Sequence, residues 1–202
     1  MADNGSMVSR TDEEVDPRIR RTRQLLQQAL DKLLKNKDFN GISIQDIADE
    51  ATVNRATFYD HYADKFELLS CMVGCRFHQL LEKRKIQFDG RCSSELAAIV
   101  RAVCDYLTGM QGANGKRPLE PQMESAIIGA VRGILLPGLK LHSPESEIAP
   151  EIRAASASWA ILGAIKEWAQ ASNRCSAEEI ADAVATLVAP LLGIRNGHRR
   201  DD

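Results

Sequence analysis

The chain has 202 residues, 44% of them hydrophobic and 27% charged, the balance of a soluble globular protein with enough apolar mass for a sizeable core. Its longest uncharged apolar stretch, Ala154–Ile165, is shorter than a membrane span and contains two serines and a glycine, which excludes a membrane protein. Five cysteines (Cys71, Cys75, Cys92, Cys104 and Cys175) are an odd number in a chain long enough to need no staples, and no basic and apolar leader opens the sequence, so a reducing cytoplasm is the expected setting. The net charge of −2 conceals an asymmetry. Residues 1–16 carry one Arg against five acids, residues 17–66 carry nine Lys and Arg against seven acids, and residues 67–202 balance at sixteen of each. Arg18, Arg20, Arg21 and Arg23 form a local basic knot that the average hides.

In chain order, residues 1–16 are polar, acidic and without periodicity, and read as a disordered arm. Apolar residues at helical spacing (Leu26, Ala29, Leu30, Leu33 and Leu34) predict a helix from about Pro17 to Lys37, with Pro17 suited to a first turn. Ser43 caps a short helix with Ile44, Ile47 and Ala48 on one side, and Asn54 caps another that runs to about Tyr59 or His61. Asp64 and Glu67 have capping-box spacing for a long helix reaching about Lys85. Ser94–Met110 reads as a helix, Gln111–Pro121 as a loop or short irregular helix, and Met123–Leu136 as a helix stopped by Pro137–Gly138. After a linker at Ser143–Pro150, two strong helices close the chain, Glu151–Ser172 and Ser176–Leu192, with residues 194–202 a disordered tail. No alternating β pattern occurs, so the fold class is all-α with about nine helices.

The segment FNGISIQDIADEATVNRATFYDHYADKFELL, residues 39–69, carries the most information. A short helix, a tight connection at Ala51–Thr52–Val53 and a second short helix from Asn54 make helix–turn–helix geometry, in which the second helix enters the DNA major groove. Its polar face carries Arg55, Thr57, Tyr59 and His61, and Ala56 keeps one point slim. Arg55 can pair with guanine O6 and N7. Tyr59, His61, Ser43 and Lys65 have the reach and donors for phosphates, and Lys65 follows the Asp64 cap, where free backbone N–H groups favour an anion. Gln45 and Asn54 complete the expected contact set, and Arg21 and Arg23 of the knot can meet backbone phosphates or the adjacent minor groove.

At these residues the chain resembles the tetracycline-repressor (TetR) family of bacterial transcription regulators. The family pattern is carried here by Ser43, Ile47, Ala48, Ala51, Val53, Asn54, Ala56, Phe58, Tyr59, His61, Tyr62 and Lys65, followed by Leu68 and Leu69, and it covers about Arg18–Leu69. Thr52 stands where Gly is common, which weakens the expectation of a positive φ there. Asp60 places an acid on the recognition helix, and it should point away from DNA. The resemblance implies a three-helix DNA-binding domain at residues 17–66, a ligand-binding and dimerisation domain at 67–193, a double-stranded operator, a homodimer and a small-molecule effector.

For self-association, the penultimate helix offers small residues for close approach, with Ala160, Gly163, Ala164 and Trp168 as interface candidates, joined by Val184, Leu187 and Leu191 from the last helix. For sensing, the helix from Asp64 is the continuous link between the two domains. Cys71, Cys75 and His78 share one of its faces and, with Met110, Met123 and Trp159, are the candidate lining of an apolar ligand cavity. The same Cys71, Cys75 and His78 leave a thiol- or metal-responsive regulator open as an alternative. A helical ligand-binding protein without DNA affinity is a more remote one. No nucleophile–base pair, glycine-rich phosphate loop or closed ligand set has the spacing chemistry requires, so neither an enzyme nor a bound cofactor or metal is expected. The leading expectation is a cytoplasmic, dimeric, ligand-released repressor, although the same reading head would serve an activator.

Overall fold

A computed structural model describes residues 16–110, 119–142 and 147–194; of Met110 it describes the backbone only. Eight α-helices occur among the described residues: α1 Pro17–Leu34, α2 Ile44–Ala51, α3 Arg55–Tyr59, α4 Lys65–Lys83, α5 Ser93–Met110, α6 Pro121–Leu141, α7 Pro150–Gln170 and α8 Ala177–Val188. Two 3-10 turns, Phe39–Gly41 and Ala189–Leu192, accompany them. The ninth helix would fall largely on residues 111–118, and the expected arm and tail fall almost wholly on residues 1–15 and 195–202; all lie outside the described residues. The chain forms two compact units that divide after Leu69, inside α4.

The first unit is α1 to the start of α4. Leu26 and Leu30 of α1, Phe39 and Ile42, Ile47 of α2, Phe58 of α3 and Leu68 are all essentially inaccessible and make one small core. α2 packs against both α1 and α3. Ser43 and Asn54 cap their helices as expected, and Asp16 adds a cap to α1. Asp16 accepts from the Arg18 amide at 2.9 Å, Ser43 accepts from the Asp46 amide at 3.0 Å, and Asn54 accepts from the Ala56 amide at 3.0 Å. Ser43 and Asp46 form a full capping box, the Asp46 carboxylate accepting in return from the Ser43 amide at 2.8 Å and the Ser43 hydroxyl at 2.7 Å. These bonds, led by the hydroxyl and with Lys37 adding to them, hold the Asp46 pKa down at about 2.

The turn between α2 and α3 corrects one expectation. Thr52 sits at φ 57 and ψ 43, in the left-handed region, despite its branched Cβ. The Thr52 amide donates to Asp49 O at 3.1 Å and the Val53 amide to Ala48 O at 3.0 Å, a Schellman ending that satisfies two carbonyls and redirects the chain into α3. Geometry overrides residue preference because the sharp exit is what lets α3 cross α2. The left-handed conformation costs an L-residue about 1–2 kcal/mol, and a glycine costs about 0.5–1 kcal/mol in entropy instead. Thr52→Gly is therefore expected to stabilise this unit by about 0.5–1 kcal/mol, read as a higher midpoint in chemical denaturation; an unchanged or lower midpoint would show that the threonine is unstrained.

The second unit packs α5 against α8, α6 against α7, and α7 against both α5 and α8. Its core is built from Phe77, Leu96, Ile99, Ile127, Val131, Leu135, Ile161 and Ile165, all buried. The expected stop at Pro137–Gly138 is corrected: α6 runs through Pro137 to Leu141. Pro137 removes only the bond to the Gly133 carbonyl, and both residues are exposed, so water can serve that group. Beyond the proline, Gly138 and Leu139 are buried again, which repays the lost bond. Gly138 lies directly against the loop Phe88–Gly90, and the His142 ring Nδ1 is 2.9 Å from Asp89 O; since a carbonyl only accepts, Nδ1 carries the proton. In the same unit, Arg153 of α7 is buried, donating from Nε to Leu191 O at 3.2 Å and from an Nη to Leu192 O. A cation there satisfies carbonyls that the last helical turn leaves open.

Candidate nucleic-acid interface

α2 and α3 present their polar sides together. Ser43, Gln45, Asn54, Arg55 and Tyr59 are exposed, and Thr57 and His61 are half-buried. Ser43, Gln45, Arg55 and Lys65 line one shallow groove of about 330 Å³, walled also by Ile42, Ile44, Asp64 and Phe66. Asp64 and Phe66 were not expected there. Phe66, half exposed, had no signal beyond its place beside Lys65, and it stacks edge-on against Phe39 with ring centroids 5.3 Å apart.

Arg55 donates to the Tyr59 hydroxyl at 3.2 Å and lies 5.8 Å from the Tyr59 ring centroid. The pair holds the guanidinium over the outer face of α3, extended enough for a base edge and free to exchange the phenol for guanine. On α1, Arg21 and Arg23 are exposed, with Arg23 5.9 Å from the centroid of the Tyr62 ring. Tyr62 is buried, and its hydroxyl accepts from Gln27 at 3.1 Å, tying α1 to the end of α3. Gln45 donates to Asp49 at 2.7 Å, and that bond must open before Gln45 can meet a phosphate. Asp60 is exposed at the C-terminus of α3.

Two expected phosphate contacts, Lys65 and Ser43, have partners within this unit. The Lys65 ammonium donates to Ile42 O at 2.7 Å, Phe39 O at 3.0 Å and Asn40 O at 3.4 Å, and lies 4.7 Å from the Phe39 ring centroid. All three N–H donors of the ammonium are thus committed to the turn before α2. The amides at the start of α4 are also taken: Asp64 accepts from Phe66 and Glu67, each at 2.8 Å, and Glu67 accepts from Ala63 at 2.7 Å. In this DNA-free structure Lys65 braces the turn before α2. Likewise the Ser43 hydroxyl proton is directed to Asp46. Lys65→Met is expected to cost the first unit about 1–2 kcal/mol through lost charged hydrogen bonds. The salt dependence of DNA binding should then stay unchanged, whereas a slope reduced by about one unit would restore the phosphate role.

The remaining candidates divide. Ala160, Gly163, Leu187 and Leu191 are exposed and Ala164 is half-buried, but Trp168 and Val184 are packed inside the second unit, so those two do not reach an outer face. Trp168 instead donates from its indole N–H to Cys175 O at 2.9 Å. Of the expected cavity lining, Met123 is buried and the Met110 side chain lies outside the described residues. Cys71, Cys75, His78 and Trp159 are exposed, so the expectation that they line an interior cavity is corrected. Helical spacing identifies residues that share a face; which face turns inward depends on neighbours the spacing does not contain.

The geometry of α1 to α3 is that of a helix–turn–helix protein. Residues 26–71 match the family model for bacterial regulatory proteins of the tetR family. Over 63 residues the chain is 49% identical to YxbF, an HTH-type transcriptional regulator of Bacillus subtilis (strain 168), a match that covers 31% of this chain and 17% of that relative's length. Two solved structures share the fold across both units. A TetR-family regulator from Streptomyces coelicolor A3 aligns with a TM-score of 0.58 at 14% identity, covering 92% of this chain and 99% of that one. FadR of Thermus thermophilus, a TetR-family transcriptional repressor in complex with lauroyl-CoA, aligns with a TM-score of 0.52 at 16% identity, covering 89% and 100%. Through residues 26–71 the chain is thus similar to the tetR family of bacterial regulatory proteins, and the match spans under a fifth of the curated relative's length. Among the described residues, no helix is long and apolar enough to cross a membrane.

Proposed function

We propose that the protein is a transcriptional regulator that reads a double-stranded operator with α3, acts as a homodimer through α7 and α8, and is released from DNA by a small molecule held in its second unit. The observation that carries the DNA reading is Arg55, exposed and braced by Tyr59 on a helix whose entry is set by the Asn54 cap and the Thr52 turn. Arg21, Arg23, Gln45, Thr57 and His61 surround it as backbone contacts. Arg55→Ala is expected to weaken the preferred operator by about 1–3 kcal/mol and to flatten base preference at one position per half-site, measured by gel shift across an operator library. A uniform loss over all sequences, with preference intact, would remove the base-reading role.

Dimerisation is supported by the apolar side chains that α7, α8 and the closing 3-10 turn leave in solvent: Ile152, Trp159, Leu187 and Leu191. Ala160 and Gly163 follow Trp159 in the α7 sequence, are exposed and permit close approach. Trp159 thus moves from the effector set to the interface set. A two-fold dimer matches a two-fold operator. The effector reading rests on the size of the second unit, far beyond what a reading head needs, and on the acyl-CoA complex of the Thermus FadR repressor that shares the fold. α4 is the continuous segment between the units, so a ligand that favours one α4 position biases the spacing of the paired heads.

A further inference from the structure

Cys71, Cys75 and His78 follow one another at intervals of about one turn along α4, and all three side chains are exposed. Both thiols are free of disulfides. Cysteine is among the most consistently buried residue types, and here two of them stand exposed one turn apart on a single helix. We propose that Cys71 and Cys75 form a two-thiolate site for a soft monovalent cation of low coordination number, copper(I). The proposal concerns binding at α4 and stands independently of the DNA reading.

The spacing suits a linear complex. Residues one turn apart on a helix have Cβ atoms about 5–6 Å apart. With a metal–thiolate bond of about 2.3 Å, a linear sulfur–metal–sulfur unit spans about 4.6 Å, which rotation about the two χ1 angles can bridge with the helix intact. Thiolates are the soft ligands that favour copper(I). Among the described residues, no group of three or more His, Cys, Asp or Glu side chains is gathered to hold a metal ion. Zinc, which takes four protein ligands in a structural site, therefore finds this one incomplete, whereas a two-coordinate ion needs nothing more. On binding, each Sγ loses its proton to solvent and forms one bond to the metal. A +1 ion and two neutral thiols become a complex of charge −1 and two released protons, with no electron transferred.

The test uses the reduced full-length chain without oxygen, titrated with copper(I) buffered by a chromophoric chelator such as bicinchoninate. A single copper per chain is expected, with near-ultraviolet thiolate-to-copper absorption and unchanged helical circular dichroism. Cys71→Ser and Cys75→Ser should each weaken binding by more than about a hundredfold, since loss of a ligand exceeds loss of a ligand's hydrogen-bond partner. The double variant Cys92→Ser/Cys175→Ser, which leaves both proposed ligands in place, should bind as the parent does. Binding that survives Cys71→Ser, disappears in the Cys92/Cys175 variant, requires two chains per copper, or is matched by zinc(II) would overturn the assignment.

Discussion

Replacing Leu187 with Glu is expected to yield a folded monomer whose affinity for a two-fold operator falls at least about a hundredfold. The side chain is 74% exposed in the single chain and Trp159 of α7 is 61% exposed, so neither supports the fold of one chain. Burying such a side chain against a second copy is worth about 1.5–3 kcal/mol, and in a two-fold interface the substitution removes that gain twice while bringing a carboxylate into an apolar patch. Linking two reading heads makes the second half-site encounter intramolecular, which raises avidity by roughly 10²–10⁴ without any new contact; a monomer forfeits that gain. Sedimentation gives the oligomeric state, gel shifts on full and half operators separate avidity from intrinsic reading, and thermal unfolding checks the fold. Half-site affinity should match the parent. An intact dimer in the Leu187→Glu chain would place the interface elsewhere.

Gly138→Ala is expected to destabilise the second unit by about 3 kcal/mol, at the upper end for an overpacked site, because the obstacles include backbone. A Cβ at Gly138 would stand 2.6 Å from Phe88 O, 2.9 Å from Gly90 N and 2.9 Å from Phe88 Cδ1. The opposing residue cannot yield: Gly90 has φ +86, and a Cβ there would meet Gly138 O at 2.7 Å. Gly129 in the same helix is the control, with nothing within 4 Å of its virtual Cβ, so Gly129→Ala should stabilise by about 1 kcal/mol through helix propensity. Chemical denaturation of the two variants should therefore move in opposite directions. Equal shifts would mean that the loop and α6 can separate without cost.

The helix–turn–helix unit was legible in the sequence because its determinants are local. Caps lie within three residues of what they cap, and Ile44, Ile47 and Ala48 on α2, like Phe58 and Tyr62 further on, follow helical spacing. The bracing contacts of Lys65 were not legible, because its partners, the carbonyls of residues 39, 40 and 42, are brought to it only by the fold. A lysine beside a recognition helix has the same sequence signature whether it faces phosphate or braces a turn. Thr52 was misjudged for a related reason: residue preference is worth about 1–2 kcal/mol, and the packing of α2 on α3 overrides it. In α7 small residues occupy several sides, so spacing did not tell that Trp168 turns inward and Trp159 outward. Pro137 was read as a stop because the buried Gly138 contact that carries α6 onward involves a loop almost fifty residues earlier.

The buried Arg153 bears on the order in which the second unit comes apart. Helix ends normally fray first, since their final carbonyls are held only by water. Here the carbonyls of Leu191 and Leu192 are gripped by a side chain 38 and 39 residues earlier in the chain, and charged hydrogen bonds of this kind are worth about 1.5–3 kcal/mol each. The closing turn after α8 therefore cannot loosen without disturbing α7, and the two helices open as one cooperative block. Slow amide exchange then extends to the Gly193 and Ile194 amides, which donate to Pro190 O and Ala189 O at 3.0 Å each, close to the last described residue of the chain.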